Sequence, residues 1–596
     1  MTPNAVPAIT KSYALSSAPP SAHPPGIAAS LARLLPLMAT ERRSVTIACA
    51  AVVVSSLAGL LGPLIIAHTI DTYIRAGNFD GVLRFAGLLV LLYTAAFVAT
   101  YVQTQTMGSV GRRVLFALRN TLFTKLQELP LDFFNQNKAG DLISRINNDT
   151  DKLNQFFAQS LVQLAAHLFM MVGAAIFLLA LHASLGVAAL APALGVLLLT
   201  RATGPWVRRK NIKSLQSIGA LSAEIQESLA NFKVIVAFNR RDYFRQKFDE
   251  ANQRAYSASV ASGMVSNIFM PIYSLAYNLA QILVLLYGIH LVAIGSATVG
   301  LLIAFLMYVN SFYLPMRQLA VVWTSFQLAL AGLDRISAVL ALESNLLVLP
   351  RDTVESGRAL LEFEQVGFSY PGSKEVLHDV SFALARGKTY ALVGPTGGGK
   401  TTTAALMARL YDPTRGRVLL DGRDIRTYTP EERTTRIGFI LQEPYLFTGT
   451  IRDNILYGHS SYAGYSGEQL MQLLTEHNVA ELVSRFADGL DTKVSSSGEA
   501  ISLGQKQLIA FMRAVLRDPE ILILDEATAN VDTVTEQLLE QILTKLPAST
   551  TKVIIAHRLN TIADADEIFF INAGTITPAG SMEHALEMLL HHRRES

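Results

Sequence analysis

Apolar residues run along the first 340 positions in stretches too long and too uniform for a soluble core. No Asp, Glu, Lys or Arg occurs in Ser44–Ile70, Phe85–Gly111, Leu153–Thr200 or Ala255–Met316, runs of 27, 27, 48 and 62 residues. One helical crossing of a bilayer takes about 20 apolar residues, so the first two runs predict one span each and the last two predict two each. Breaks are expected near His182–Gly186 and Ile294–Gly300, which makes six helices. Buried helices of soluble enzymes are roughly 8–20 residues long and amphipathic; these runs are apolar all round. Between them, Arg112–Lys152 and Arg208–Arg254 carry their own helical patterns, with Val114, Leu118, Leu122 and Leu126 in one and Leu221, Ile225, Leu229 and Phe232 in the other. The spans are therefore expected to continue beyond the bilayer as a stalk.

After Leu340 short apolar strands alternate with helices, as in Thr389–Val393, Ile437–Leu441 and Ile521–Leu524, the pattern of an α/β domain with a buried parallel sheet. The predicted organisation is a disordered Pro/Ala-rich tail over 1–36 with seven prolines, a six-helix transmembrane domain over 37–340, a linker over 341–358 and an α/β domain over 359–596.

Charge sharpens this division. The chain of 596 residues is 51% hydrophobic and 16% charged, against roughly 25% charged in soluble proteins. Its first 340 residues hold 26 basic and 14 acidic side chains, and the other 256 hold 24 and 33. A basic, charge-poor half thus precedes an acidic, nearly ordinary one. The positive excess lies in the apolar half, which points to a membrane surface and not to nucleic acid. Cys49 is the only cysteine, which excludes a disulfide scaffold and cysteine-built zinc sites. Arg112–Lys152 holds seven basic residues and Arg208–Arg254 ten, while Asp71–Arg84 holds two. The positive-inside rule then puts the two long loops, both termini and the second half in the cytoplasm of an integral membrane protein.

Gly394-Pro395-Thr396-Gly397-Gly398-Gly399-Lys400-Thr401 fits the phosphate-loop pattern between a strand and a helix opening at Thr402. Glycines let backbone N–H groups curl around phosphates, Lys400 reaches the β- and γ-phosphates, and Thr401 ligates Mg²⁺. Ile521–Leu524 is an apolar strand that leads into Asp525-Glu526. Asp525 suits Mg²⁺ with Thr401, and Glu526 is placed to orient or deprotonate the attacking water.

Ile501-Ser502-Leu503-Gly504-Gln505 lies between these motifs, and in that order the set resembles the nucleotide-binding domain of the ATP-binding cassette (ABC) family, whose signature is L-S-G-G-Q. Ser502, Gly504 and Gln505 match; Ile501 and Leu503 depart from it. The resemblance implies that the signature faces ATP held by a second subunit. It also implies that Tyr370 stacks on adenine, that Gln442 senses Mg²⁺, that Asp532 communicates across the dimer, and that His557 bonds the γ-phosphate as a catalytic residue. Ser496 and Ser497 stand where family members often carry Glu and Arg.

The whole chain resembles an exporter-type ABC half-transporter, with Leu131–Asn135 and Leu229–Asn239 similar to the coupling helices that rest on the cassettes. What this implies is an ATP hydrolase coupled to transport, using ATP and Mg²⁺ and working as a dimer in a bacterial inner membrane. The partner is a second half-transporter, and the altered signature with the two serines tilts towards a heterodimer over a homodimer. Export of a drug, lipid or similar amphipathic cargo is the leading reading. Import of a lipophilic cargo such as a siderophore and an ATP-gated channel or regulator compete with it. Gln103, Gln105, His167, Asn267, Asn278, Gln281 and Asn310 are uncharged polar residues at membrane depth. Asn278 and Gln281, with Phe169, Tyr277 and Phe305, are candidates for the path of a small hydrophobic substrate, against interhelical hydrogen bonding as the plainer role.

Overall fold

The computed structural model describes residues 13–15, 35–344, 346–351, 359–495, 501–525, 541–555, 565–580 and 583–588. The chain divides into two compact units, one running over 17–125 and 140–340, the other joining 126–139 and the N-terminal residues to the chain from Ala341 onward.

In chain order the helices are α1 (Arg42–Thr69), α2 (Phe79–Glu128), α3 (Leu131–Gln136), α4 (Ala139–Ser144), α5 (Thr150–Gln155), α6 (Leu161–Leu181), α7 (Ala183–Ala230), α8 (Phe232–Ala237), α9 (Arg241–Asn267), α10 (Phe269–Ala293) and α11 (Val299–Leu340). Among the described residues, six helical runs of 37 to 53 residues are long and apolar enough to cross a membrane. At about 1.5 Å per residue they reach about 55–80 Å, against a hydrocarbon core of about 30 Å. Each run is therefore longer than the bilayer is thick, as a stalk requires. The expected breaks are present. His182 is extended between α6 and α7, and a side chain on Gly186 would strike the Leu178 carbonyl. Gly295, at φ +76°, turns the chain between α10 and α11.

Small residues let these helices approach. Ala174, Ala189, Ala280 and Ala304 are fully buried with Leu178, Val284 and Tyr308. The Tyr308 hydroxyl donates to the Leu60 carbonyl at 2.6 Å, and Tyr313 to that of Ala189 at 3.0 Å. Charge inside this unit is paired: Asp149, without exposed surface, meets Lys152 at 2.8 Å and Arg335 at 3.2 Å. Removing either cation would leave a buried carboxylate short of partners.

The second unit holds β1 (Leu361–Ser369), β2 (Glu375–Leu384), β3 (Thr389–Val393), α12 (Lys400–Met407), β4 (Arg415–Leu420), β5 (Arg423–Asp424), α13 (Pro430–Arg436), β6 (Ile437–Ile440), β7 (Gly449–Thr450), α14 (Ile451–Ile455), α15 (Gly467–Glu476), β8 (Lys493–Val494), α16 (Leu503–Val515), β9 (Ile521–Asp525), β10 (Thr551–Ile555), β11 (Glu567–Asn572) and β12 (Thr575–Pro578). An antiparallel sheet has the order β2-β1-β4-β5, and a six-stranded sheet the order β12-β11-β3-β10-β9-β6. From β11 to β6 the second sheet is parallel, and every residue of β9 is buried. That is why these strands read as unbroken apolar runs and not as alternating ones.

One departure from expectation lies in the N-terminal stretch. Composition reads residues 1–36 as a disordered tail, yet Tyr13 is only 1% exposed. Its backbone and hydroxyl find partners more than 100 positions away in sequence, which no local composition can reveal.

Candidate nucleotide site

Strand order assembles the site. In a parallel sheet all C-terminal ends lie on one edge, where α/β proteins bind their ligands. β3 ends at the phosphate loop, β9 at Asp525, and β6 one residue before the loop that carries Gln442. β10 lies between β3 and β9, with Ile555 in register with Asp525. Motifs more than 100 residues apart thus meet on one edge.

The loop takes a path that only glycine follows at two points. Gly394 and Gly399 have φ of +148° and +114°, and a side chain on Gly394 would collide with the Ile571 carbonyl. Gly399 is the N-cap of α12, so the first N–H groups of that helix face the loop, the arrangement that favours phosphate. Lys400 is buried and folds back over the loop, donating to the carbonyls of Gly394 at 2.9 Å and Pro395 at 3.0 Å. The Thr401 hydroxyl donates to Asp525 Oδ1 at 3.4 Å. A hydroxyl and a carboxylate side by side are the hard oxygen donors that Mg²⁺ takes, so the residues present fit that ion.

Tyr370 lies beside the helix that follows the phosphate loop. Its hydroxyl lies 3.1 Å from Thr402 Oγ1, and its ring stands edge-on to Phe368 at 4.9 Å and to Tyr411 at 5.3 Å. Tyr411 escapes sequence reasoning, because nothing in its local pattern marks it. It is buried, and it accepts a hydrogen bond from Asn135 Nδ2 on α3 at 2.9 Å. Burial first, and then the neighbouring Tyr370 and Asp132, pushes its phenol up to about 12. Burial also raises the Asp132 carboxyl above its ordinary range. Gln442 is exposed, and its backbone carbonyl accepts from Gln507 Nε2 at 3.5 Å.

The signature builds a helix end. Ser502 is the N-cap of α16: its hydroxyl accepts from Gln505 N at 3.2 Å, while Gln505 Oε1 accepts from Ser502 N at 3.1 Å. This capping box holds the start of α16 firmly, and Gln505 Nε2 also donates to the Arg485 carbonyl at 2.8 Å. Leu503 occupies the first helical position, half-buried. Ile501 is buried in the core that α16 shares with α15, which gives the departure from the family residue a packing role. The phosphate-loop helix packs into a different core, with β1 and β4. Gly504, also buried, begins the helix beside Leu503.

Glu526, Asp532, His557, Ser496 and Ser497 lie outside the described residues. In the helical unit, Asn278 is exposed on α10, and Gln281 Nε2 donates to the Tyr277 hydroxyl at 2.7 Å. Phe305 has no exposed surface. Its ring packs in the helical core with Ala304, Tyr308 and Val309.

Comparison with known proteins agrees with this geometry. The profile of the ABC transporter transmembrane region matches residues 45–316, and the ABC transporter profile matches residues 377–529. An uncharacterized ABC transporter ATP-binding protein of Bacillus subtilis is 32% identical over 570 residues, covering 93% of this chain and 92% of its own length. The chain belongs to the ABC transporter family. A fatty acid ABC transporter ATP-binding/permease protein of Mycobacterium bovis is 33% identical over 504 residues, 85% of this chain and 79% of that one. The solved structure of a bacterial Atm1-family ABC exporter with ATP bound superposes with a TM-score of 0.76 at 26% identity, over 93% of this chain and 96% of that one. This ABC transporter is thus an exporter-type half-transporter, an integral membrane protein with one ATP-binding cassette.

Proposed function

We propose that this chain is one half of a dimeric pump that hydrolyses ATP to export an amphipathic cargo by alternating access. The observation that carries the reading is the strand order, which brings the phosphate loop, Asp525 and the Gln442 loop to one sheet edge while the signature caps a helix of another core. One chain then holds one phosphate cradle and one signature, and a second cassette completes each site.

In this reading Lys400 and the N-terminus of α12 bind the β- and γ-phosphates, and Tyr370 stacks on the base. Mg²⁺, held by Thr401 and Asp525 with Gln442 near it, neutralises phosphate charge when bound. Glu526 takes a proton from water as its oxygen bonds to the γ-phosphorus. The bond from that phosphorus to the bridging oxygen of ADP breaks, leaving ADP and inorganic phosphate. His557 donates to the γ-phosphate, and Asp532 faces the partner cassette. Ser502, Leu503, Gly504 and Gln505 bind the nucleotide of the second half-transporter. ATP closes the paired cassettes and hydrolysis reopens them, a population shift that the stalk helices pass to the spans.

No charged residue lies within the apolar runs, which disfavours an ionic cargo held by a buried counter-charge. Asn278 and Gln281 offer uncharged polar contacts to a headgroup, and a fatty acid transporter among the relatives supports a lipid-like cargo. The basic loops support a cytoplasmic cassette. The decisive measurement is ATP hydrolysis by purified protein. Glu526→Gln should bind ATP yet hydrolyse it at least about a hundredfold more slowly; equal rates would overturn the assignment. Export should appear as uptake of a labelled fatty acid into inverted vesicles with ATP outside. The masses of the purified chains decide between a homodimer and the favoured heterodimer.

A further inference from the structure

The three residues Tyr13–Leu15 are held by two side chains and a backbone carbonyl far away in sequence. The Tyr13 N–H donates to Gln136 Oε1 at 2.9 Å, and the Tyr13 hydroxyl donates to the Glu343 carbonyl at 2.9 Å. Asn137 bonds the same segment twice: its Nδ2 donates to the Tyr13 carbonyl at 2.9 Å and its Oδ1 accepts from Leu15 N at 2.9 Å. One amide side chain therefore serves a C=O and the N–H two residues on, the pair that a neighbouring strand would serve in a sheet. Extended peptides are bound in this manner: backbone hydrogen bonds give affinity, and one inserted side chain gives specificity. The inserted side chain here is Tyr13, with 1% of its surface exposed.

What these bonds join matters more than their number. Gln136 and Asn137 close the segment that opens with α3, and Asn137 Nδ2 also donates to the Phe133 carbonyl at 2.7 Å. Asn135, one position earlier, donates to Tyr411 beside Tyr370. Glu343 lies just beyond the end of α11. Both Asn137 and Glu343 stand where the chain passes between its helical and cassette units. A tyrosine set in a Pro/Ala/Ser-rich stretch is tethered to the two passages together. A segment gains order only where contacts offset its lost freedom, and these three residues make such contacts.

We propose that Tyr13–Leu15 is a docking motif for a receptor site built by Gln136, Asn137 and Glu343, and that the docked motif fastens the 131–137 segment to the chain after α11, so that cargo-stimulated ATP turnover depends on it. The docking stands on its own contacts; its effect on turnover rests on the transport reading above. The site selects an extended peptide with a tyrosine, and its occupant is the N-terminal segment of the same chain.

The test compares the full chain, Tyr13→Ala and a chain lacking residues 2–16. Amide hydrogen exchange in 131–137 should quicken at least about tenfold in both variants. A fluorescent peptide of residues 8–20 should bind the shortened chain and restore that protection, and its Tyr13→Ala version should not. In vesicles containing oleate as the probe, both variants should lose at least half of the oleate-stimulated hydrolysis while KM for ATP stays unchanged. Unchanged exchange together with no peptide binding would overturn the docking. Quickened exchange with undiminished stimulation would overturn the link to turnover. A wild type without ATPase activity would refute the transport reading and leave the exchange and peptide results to judge the docking.

Discussion

The side-chain amide of Asn135 donates to the hydroxyl of Tyr411 at 2.9 Å, and the Tyr411 ring stands perpendicular to Tyr370 with centroids 5.3 Å apart. A residue of α3 is thereby two contacts from the ring proposed to stack on adenine. One contact needs the hydroxyl and the other needs the ring, so substitutions can separate them.

Tyr411→Phe keeps the ring and loses the hydrogen bond from the exposed Asn135, whose amide can turn to water, at a cost of about 0.5–1.5 kcal/mol. Tyr411→Ala empties a buried site and should cost about 3–5 kcal/mol. In denaturant unfolding the two should rank in that order. Binding of a fluorescent ATP analogue should stay within about twofold for Phe and fall more than about tenfold for Ala. Equal losses in both would show that the hydroxyl, not the ring, supports Tyr370.

Ser502 has two separable duties, as N-cap of α16 and as proposed contact to the second nucleotide. Ser502→Ala should cost about 1 kcal/mol in stability through the lost cap. Ser502→Asp retains an N-cap acceptor, and should keep the thermal midpoint near wild type while abolishing ATP turnover by repelling phosphate. An active Asp variant would argue against the phosphate contact.

Gly394→Ala sets a side chain at φ +148° against the Ile571 carbonyl. The phosphate loop cannot keep its path, so ATP binding should be lost by titration calorimetry. Gly397→Ala is the milder comparison, since its space is open and only its φ of +82° is strained.

His459 is buried with its Nε2 3.0 Å from the Arg513 carbonyl, and burial holds its pKa below the ordinary histidine value. A depressed pKa means that the folded state binds fewer protons than the unfolded one. Its stabilising contribution is full above the unfolded value near 6.5 and is lost as pH falls below it. The thermal midpoint should therefore drop between about pH 7 and pH 5.5, and His459→Gln should flatten that drop. A drop of the same size in the variant would assign it to other groups.

Much of the membrane unit is legible because lipid imposes a one-dimensional rule: each span must satisfy its own backbone and present apolar side chains. The four charge-free runs report that rule directly, including the turns at His182 and Gly295. The phosphate loop is legible for a similar reason, since its chemistry lies in consecutive residues. Phe305 is less legible, because a hydrophobic ring in a span reads alike whether it faces a path or packs in the helical core, where this one lies.

Sequence alone determines, for this protein, the four charge-free runs that make six spans, the change at Leu340 from a charge-poor half to an acidic one, and the ordered cassette motifs, because each is written in contiguous residues. Tertiary structure alone decides which distant residues meet. The order β3-β10-β9-β6 brings Thr401 to Asp525, Tyr411 joins Asn135 to Tyr370, and Tyr13 is buried against residues up to 330 positions away. Those pairings come from strand order and close packing, which depend on the whole folded chain and leave no mark on the local pattern.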